Sequence, residues 1–87
     1  MKKRERREGI TIIVDILEEA KDKIRKTHLM YKTNLSFNGL NRYLDALTKS
    51  GYIQKDSGIY KTTPEGMEAL KDLRGASRVL EEFNKHW

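Results

Sequence analysis

The apolar residues of this chain recur with two different periods, and the order of those periods outlines a fold. The first set begins near residue 9 and follows a spacing of three and four, at Ile10, Ile13, Leu17, Ala20 and Ile24. This spacing predicts one amphipathic helix over residues 9–23. Ile12 and Ile16 lie off that stripe. They either broaden one buried face or contact a partner subunit.

Two shorter helices are predicted next. Thr27 can cap the first of them, which runs to about residue 33 with Leu29 and Met30 facing inward. After a turn at residues 34–35, Ser36 is a suitable N-cap for the following helix. That helix carries a buried stripe of Phe37, Leu40, Leu44 and Leu47, and Gly51 ends it.

The period then changes to two. Residues 52–55 and 59–62 are typical of strands, joined by a three-residue loop at residues 56–58. Ile53 and Tyr60 are the expected inward residues, and the other tyrosines, Tyr31, Tyr43 and Tyr52, are expected to be half-buried in the core. Two short helices followed by a hairpin predict a winged helix-turn-helix, a mostly α fold with a small β-hairpin.

A long last helix is predicted to begin at Thr63, which caps it, and Pro64, which suits a first helical position. Met67 and Leu70 can pack on the winged helix. A separate heptad seam follows at Ala69, Leu73, Ala76, Leu80, Phe83 and Trp87. The seam predicts a homodimer, held mainly by Leu73, Ala76, Leu80, Phe83 and Trp87; the alternative is that this helix folds back on the first one.

These elements divide the chain into a basic arm (residues 1–8), a winged helix-turn-helix domain (9–66) and a C-terminal, coiled-coil-like dimerisation helix (67–87). Positive charge is concentrated in the first two of these. Residues 1–8 hold five basic and two acidic side chains, and residues 21–63 hold nine basic and three acidic ones. A polyanion partner would require charge in these places, although a solvated basic surface explains it equally well.

The exposed face of the third helix offers side chains that suit base edges and phosphates. Asn38, Asn41 and Arg42 lie near its start, where recognition helices make base contacts, and Asp45 is expected to mark the edge of the footprint. Six lysines and one arginine are candidates for phosphate contacts. They are Lys49 on the same helix, Lys55 and Lys61 in the wing, Lys32 on the second helix, and Lys2, Lys3 and Arg4 in the arm.

Several other classes of function find no support in the sequence. The chain has no cysteine, and His28 and His86 stand without other ligands at a metal-binding spacing, so no metal site or cofactor is predicted. No nucleophile–base pair, glycine-rich phosphate loop or small-molecule site is recognisable, and we predict that the protein is not an enzyme. No apolar run approaches a membrane span or a signal peptide, which favours a cytoplasmic protein.

Several segments resemble the archaeal winged-helix DNA-binding proteins of the small Sulfolobus chromosomal type. They are residues 27–31 (THLMY), 34–37 (NLSF), 42–44 (RYL), 51–53 (GYI) and 63–66 (TPEG), together with Leu47 and Tyr60. The resemblance implies DNA binding with little sequence preference, nucleoid association, and dimerisation through an antiparallel coiled coil of the last helix. This chain departs from the family in a shorter last helix, which Gly75 is expected to interrupt.

The sequence as a whole therefore predicts a protein that binds duplex DNA as a homodimer, either a transcriptional regulator or an organiser of the chromosome. The third helix would enter the major groove while the wing and the arm contact phosphates. The alternative is a winged helix that serves as a protein–protein interaction module without direct DNA binding.

Overall fold

The chain alternates helices with three short strands, and the computed structural model describes residues 9–85 of it. The elements are α1 (Gly9–Glu19), a 3-10 turn (Ala20–Asp22), β1 (Ile24–Arg25), α2 (Lys26–Thr33), α3 (Phe37–Lys49), β2 (Ile53–Asp56), β3 (Ile59–Thr62) and α4 (Pro64–Lys85). The predicted fold class is confirmed: a mostly helical winged helix-turn-helix with a long C-terminal helix.

The sheet has three strands where the sequence predicts two. All pairs are antiparallel in the order β1-β3-β2, with Ile24 opposite Tyr60 and Lys55 opposite Tyr60 on the other side. β1 is only two residues long, too short to show a period. The hairpin turn between β2 and β3 consists of Ser57 and Gly58, both with positive φ (53° and 80°). This is the backbone of a tight two-residue turn, in place of the predicted three-residue loop.

The core contains Leu17, Ala20 and Ile24 of the predicted stripe, and it also contains Ile12 and Ile16 from beside that stripe. Ile12, Ile16 and Leu17 are buried, whereas Ile10 and Ile13 are only partly covered. The reason is that α1 packs on two sides: Ile12 and Ile16 belong to the central core, and Ile10 and Ile13 face α4. Ile12 and Ile16 therefore broaden one buried face, and the alternative that they contact a partner is wrong.

The ends of the two middle helices follow the prediction in part. The Ser36 hydroxyl caps α3 by accepting from the Gly39 N–H at 3.0 Å. Thr27 does not cap α2, because the helix begins at Lys26 and Thr27 is already inside it. The N-cap is Arg25, whose side chain makes no capping hydrogen bond. Phe37 is 55% exposed and does not join the buried stripe of α3, which consists of Leu40, Leu44 and Leu47.

The helix α4 begins where the sequence predicts and continues without a break. Thr63 caps it, since its hydroxyl accepts from the Gly66 N–H at 3.0 Å. Its first half belongs to the domain: Leu70 is buried, and Ala69 and Leu73 pack against the core. Met67, expected to pack there too, is exposed.

Gly75 does not interrupt α4, contrary to expectation. The helix is about 33 Å long at the usual rise per residue, and the second half runs past the core. There Val79, Leu80 and Phe83 are 66%, 43% and 58% exposed. Leu80 lies beside Ile10 of α1, so part of this half follows the first helix as the alternative interpretation expected.

Candidate nucleic-acid interface

The exposed face of α3 presents its polar residues as predicted. Asn38, Arg42 and Lys49 are exposed, and with Asp45 they occupy positions one or two turns apart along one side of the helix. The opposite side carries the buried leucines, so this side is fixed toward solvent by the core. A rigid helix with an arginine and an amide on its outer side can make paired hydrogen bonds to base edges.

Asn41 is held by a neighbour that the sequence did not single out. Its Oδ1 accepts a hydrogen bond from Lys26 Nζ at 2.5 Å, and the same ammonium lies 5.0 Å from the centre of the exposed Phe37 ring. An ammonium only donates, so the amide oxygen must point toward Lys26. Recognition of adenine requires both the oxygen and the NH₂ of an asparagine. With Lys26 in place, Asn41 keeps its NH₂ group and the second lone pair of its oxygen for a further contact.

The two wing lysines lie on opposite faces of the hairpin. Lys55 is paired with Tyr60, and its ammonium lies 5.9 Å from the centre of that ring. A shallow cleft there is also lined by Thr48 and Lys49 of α3, so Lys55 continues the α3 face. Lys61 is paired with Gln54 on the other face. The structure thus brings Lys55 together with Lys49, and with Asp45 in the same cleft, but turns Lys61 away.

The exposed side of α2 carries Lys32 and Tyr31. Lys32 is exposed, and its Nζ is 4.0 Å from a Glu19 carboxylate oxygen, a distance typical of a weak surface pair. Tyr31 is 83% exposed, so the prediction that it is half-buried in the core is wrong. Tyr31 occupies the side of this short helix that turns away from the buried Leu29 and Thr33. An exposed hydroxyl-bearing ring beside a lysine can contact a backbone phosphate.

The opposite side of the domain is acidic. A groove of about 780 Å³ between α1, α3 and α4 has an apolar floor that includes Ile13, Ala69 and Leu73. Three carboxylates of α4, from Glu65, Glu68 and Asp72, line the same groove. Negative charge repels phosphates, so this groove is unsuited to a polyanion.

One carboxylate ties α4 to α1. Glu18 forms salt bridges with Lys21 and with Arg74 of α4. The hydrogen bond from the Lys21 ammonium, together with the charge of Arg74, lowers the pKa of Glu18 below its ordinary value of 4.5. The Glu18–Arg74 salt bridge thus joins the end of α1 to the middle of α4.

Some predicted site residues lie outside the described residues, namely Lys2, Lys3 and Arg4 of the arm and Trp87 of the seam. Lys26, Tyr31 and Phe37 are neighbours of the candidate face that sequence reasoning missed. Only the structure identifies Lys26, because its distance from Asn41 depends on how α2 packs against α3. Across residues 9–84, no three metal-ligating side chains come together, and no described helix is long and apolar enough to cross a membrane.

Comparisons with known proteins agree with this architecture. The family model for the winged helix-turn-helix matches residues 6–81. The chain is similar to Sso10a-2, a DNA-binding protein from Sulfolobus solfataricus, whose crystal structure matches with a TM-score of 0.82 at 24% identity, covering 92% of this chain and 88% of that one. At that identity the likeness concerns the fold.

Two relatives from Methanocaldococcus jannaschii are uncharacterized proteins. MJ0290 is 33% identical over 76 residues, which are 86% of this chain but 36% of MJ0290. MJ0287 is 29% identical over 72 residues, which are 82% of this chain and 74% of MJ0287. The chain therefore corresponds to about a third of the first relative and three quarters of the second.

Proposed function

This chain belongs to the winged helix-turn-helix family, and from that premise we propose that it binds duplex DNA. In this proposal α3 enters the major groove, and Lys55 and Lys49 contact the phosphates beside it. The observation that carries the proposal is that Lys49 of α3 and Lys55 of the wing line one cleft, on the side of α3 that also exposes Arg42. The DNA-binding description of the structurally similar Sso10a-2 supports it.

We further infer that binding is mainly electrostatic. The Asn41 oxygen already accepts a hydrogen bond from Lys26, so a base edge that donates to this oxygen must share it with an ammonium group. Asp45 stands in the middle of the α3 face, where it disfavours a phosphate and limits how closely the backbone follows the helix. A chain with this face fits a cytoplasmic, nucleoid-associated organiser of DNA better than a regulator of one operator. The arm residues Lys2, Lys3 and Arg4 are expected to add phosphate contacts.

A salt titration tests the proposal. Binding to a long mixed-sequence duplex should weaken linearly on a log–log plot against salt, and each lost phosphate contact should reduce the slope by about 0.9. Lys55→Ala should show that reduction, and Arg42→Ala should weaken binding. Lys71→Ala, on exposed α4, is the matched control that should change neither property. The proposal is wrong if the unmodified protein fails to bind duplex at low salt.

We also propose that α4 forms a symmetric dimer, the arrangement that would put two DNA-binding domains on one particle. The support is the exposed Val79, Leu80 and Phe83 in the second half of α4, and the apolar groove beside Ala69 and Leu73 in the first half. In an antiparallel pair the second half of one helix lies against the first half of the other. Leu80 and Phe83 would then cover the partner's groove, with Ala76 and Trp87 completing the seam.

Burial of each large apolar side chain is worth about 1.5–3 kcal/mol, enough for three or four of them to hold a dimer. Sedimentation at tens of micromolar should show a dimer for the unmodified protein. The double change Leu80→Asp with Phe83→Asp should give a folded monomer with weaker DNA binding, because linkage of two domains is lost. A monomer before any change would refute the dimer and leave the DNA-binding face untouched.

The rival function is a protein-interaction module, and the acidic groove is the feature that favours it. That groove would suit a basic partner. The rival predicts that Arg42→Ala and Lys55→Ala leave the activity of the protein unchanged, so the same two variants separate the two functions.

A further inference from the structure

The outer face of the sheet carries a basic row that the α3 face does not use. Ile24 is opposite Tyr60, and Arg25 is opposite Ile59. Lys23 directly precedes β1, and Lys61 is opposite Gln54 on the other side of β3. All three line one shallow cleft of about 410 Å³. Lys23, Lys61 and Gln54 therefore form a row across the sheet, on the face turned away from Lys55.

This row brings two positive charges into one cleft. Like charges that lie close together on a sheet repel. Within residues 9–84 neither Lys23 nor Lys61 has a carboxylate at salt-bridge distance. Asp56 and its neighbour Ser57 lie at the turn end of the same cleft. The positive potential is therefore greatest at the end of the cleft away from the turn.

The backbone at Lys23 is a second unusual feature of the row. Lys23 adopts φ 75° and ψ 129°, a conformation that favours glycine over any residue with a side chain. Residues held in such conformations cluster at binding sites, where the surrounding structure maintains them. Here the strained residue contributes one of the two ammonium groups of the row.

We propose that the outer face of the sheet binds the phosphates of a second DNA duplex, separate from the duplex held by α3. Two ammonium groups and the Gln54 amide can donate hydrogen bonds to phosphate oxygens. Arg25, at the end of β1 and opposite Ile59, adds a further positive charge to this face. This inference rests on the proposed function in taking duplex DNA as the ligand. Each domain would then have two DNA-binding faces, one that includes Lys55 and one that includes Lys61.

The stoichiometry of binding tests the inference. The probe is a duplex of about 12 base pairs, little more than one helical turn, which is too short to reach both faces at once. At low salt, sedimentation of the full chain with excess duplex should show two duplexes per chain. Lys61→Glu should reduce this to one. Lys71→Glu makes the same change of charge on α4 and should leave two.

Lys23→Gly separates binding from folding. Glycine suits the backbone at this position, so the variant should unfold at the same or a higher denaturant concentration than the unmodified chain. It should nevertheless bind only one duplex, because one ammonium group of the row is gone. A single duplex per chain in the unmodified protein, or two duplexes in Lys61→Glu, would overturn the inference.

The variant Arg42→Glu distinguishes failure of this inference from failure of the proposed α3 site. If both hold, Arg42→Glu binds one duplex through the sheet, and Arg42→Glu combined with Lys61→Glu binds none. If Arg42→Glu still binds two duplexes, the α3 assignment is wrong. The sheet assignment is then supported if Lys61→Glu binds one duplex and wrong if Lys61→Glu binds two. If no variant and no unmodified chain binds duplex, both are wrong.

Discussion

Two glycines of the same helix should respond in opposite ways to the same substitution. An alanine in a helix interior is favoured over glycine by about 1 kcal/mol. At Gly75 an added Cβ would have no other atom within 4 Å. Gly75→Ala should therefore stabilise the protein by about 1 kcal/mol, which corresponds to a rise in Tm of about 4–8 °C for a domain of this size.

At Gly66 the added Cβ would lie 2.1 Å from the carbonyl oxygen of Tyr52 and 2.6 Å from Cγ2 of Thr62. Neither neighbour can move freely. The Tyr52 carbonyl accepts from the Thr63 N–H at 3.0 Å, and the Tyr52 N–H donates to the Leu47 carbonyl at 2.9 Å. The backbone at Tyr52 is thus fixed on both sides, and relief of the contact would displace either β2 or the start of α4.

The balance at Gly66 is decided by magnitude. Overpacking of a fixed site costs about 1–3 kcal/mol and occasionally more, and a weakened buried hydrogen bond adds about 1 kcal/mol. These costs exceed the gain in helix propensity. We expect Gly66→Ala to be destabilised by about 2 kcal/mol net, which lowers Tm by roughly 8–16 °C.

Circular dichroism at 222 nm during urea and thermal unfolding measures both effects. All samples should be compared at one protein concentration, because Tm depends on concentration in an oligomer. A rise in Tm for Gly66→Ala would show that α4 can move away from the wing at little cost. The explanation of Gly66 by close backbone approach would then be refuted.

Two further outcomes test contacts between elements. Thr62 is buried and its hydroxyl donates to the Leu17 carbonyl at 2.7 Å, so Thr62→Val should lower the free energy of unfolding by about 1–3 kcal/mol, while Thr62→Ser, which keeps the donor, should lose less in urea unfolding. Because the folded pKa of Glu18 is depressed, its salt bridges contribute stability that is present above pH 4.5 and lost as pH falls through the folded pKa. The urea midpoint should therefore differ less between pH 7 and pH 3 in Glu18→Gln than in the unmodified protein. If the difference is the same in both proteins, groups other than Glu18 cause the loss of stability in acid.

The segment of residues 63–66 shows how much a short motif can determine. Thr63 caps α4 and also donates from its hydroxyl to the Gly51 carbonyl at 2.7 Å, which joins the helix start to the end of α3. Pro64 occupies the first helical position, and Gly66 permits close contact with Tyr52. The cap and the proline were predictable from local rules. The contact of Gly66 was not, because it depends on a residue 14 positions earlier in the chain.

The full extent of the buried face of α1 was not predictable for a related reason. Its apolar positions form two adjacent stripes, and periodicity alone does not tell which stripe faces the centre of the domain. That choice depends on where α4 lies, since Ile13 faces Ala69 and Leu73. The existence of α1 follows from its own residues, whereas its orientation depends on its packing against α4, about 60 residues later in the chain.

The same limit applies to the wing. A regular pairing around the three-residue loop predicted over residues 56–58 would put Ile53 and Tyr60, both expected to face inward, on opposite faces of the hairpin. The observed turn has two residues, so Lys55 lies opposite Tyr60, and Ile53 and Tyr60 share the core face. Side chains alternate along each strand, which places Lys55 on that face and Lys61 on the outer one. A shift of one residue in register moves every later side chain of a strand to the other face, so one residue of turn length decides which lysine joins the α3 face.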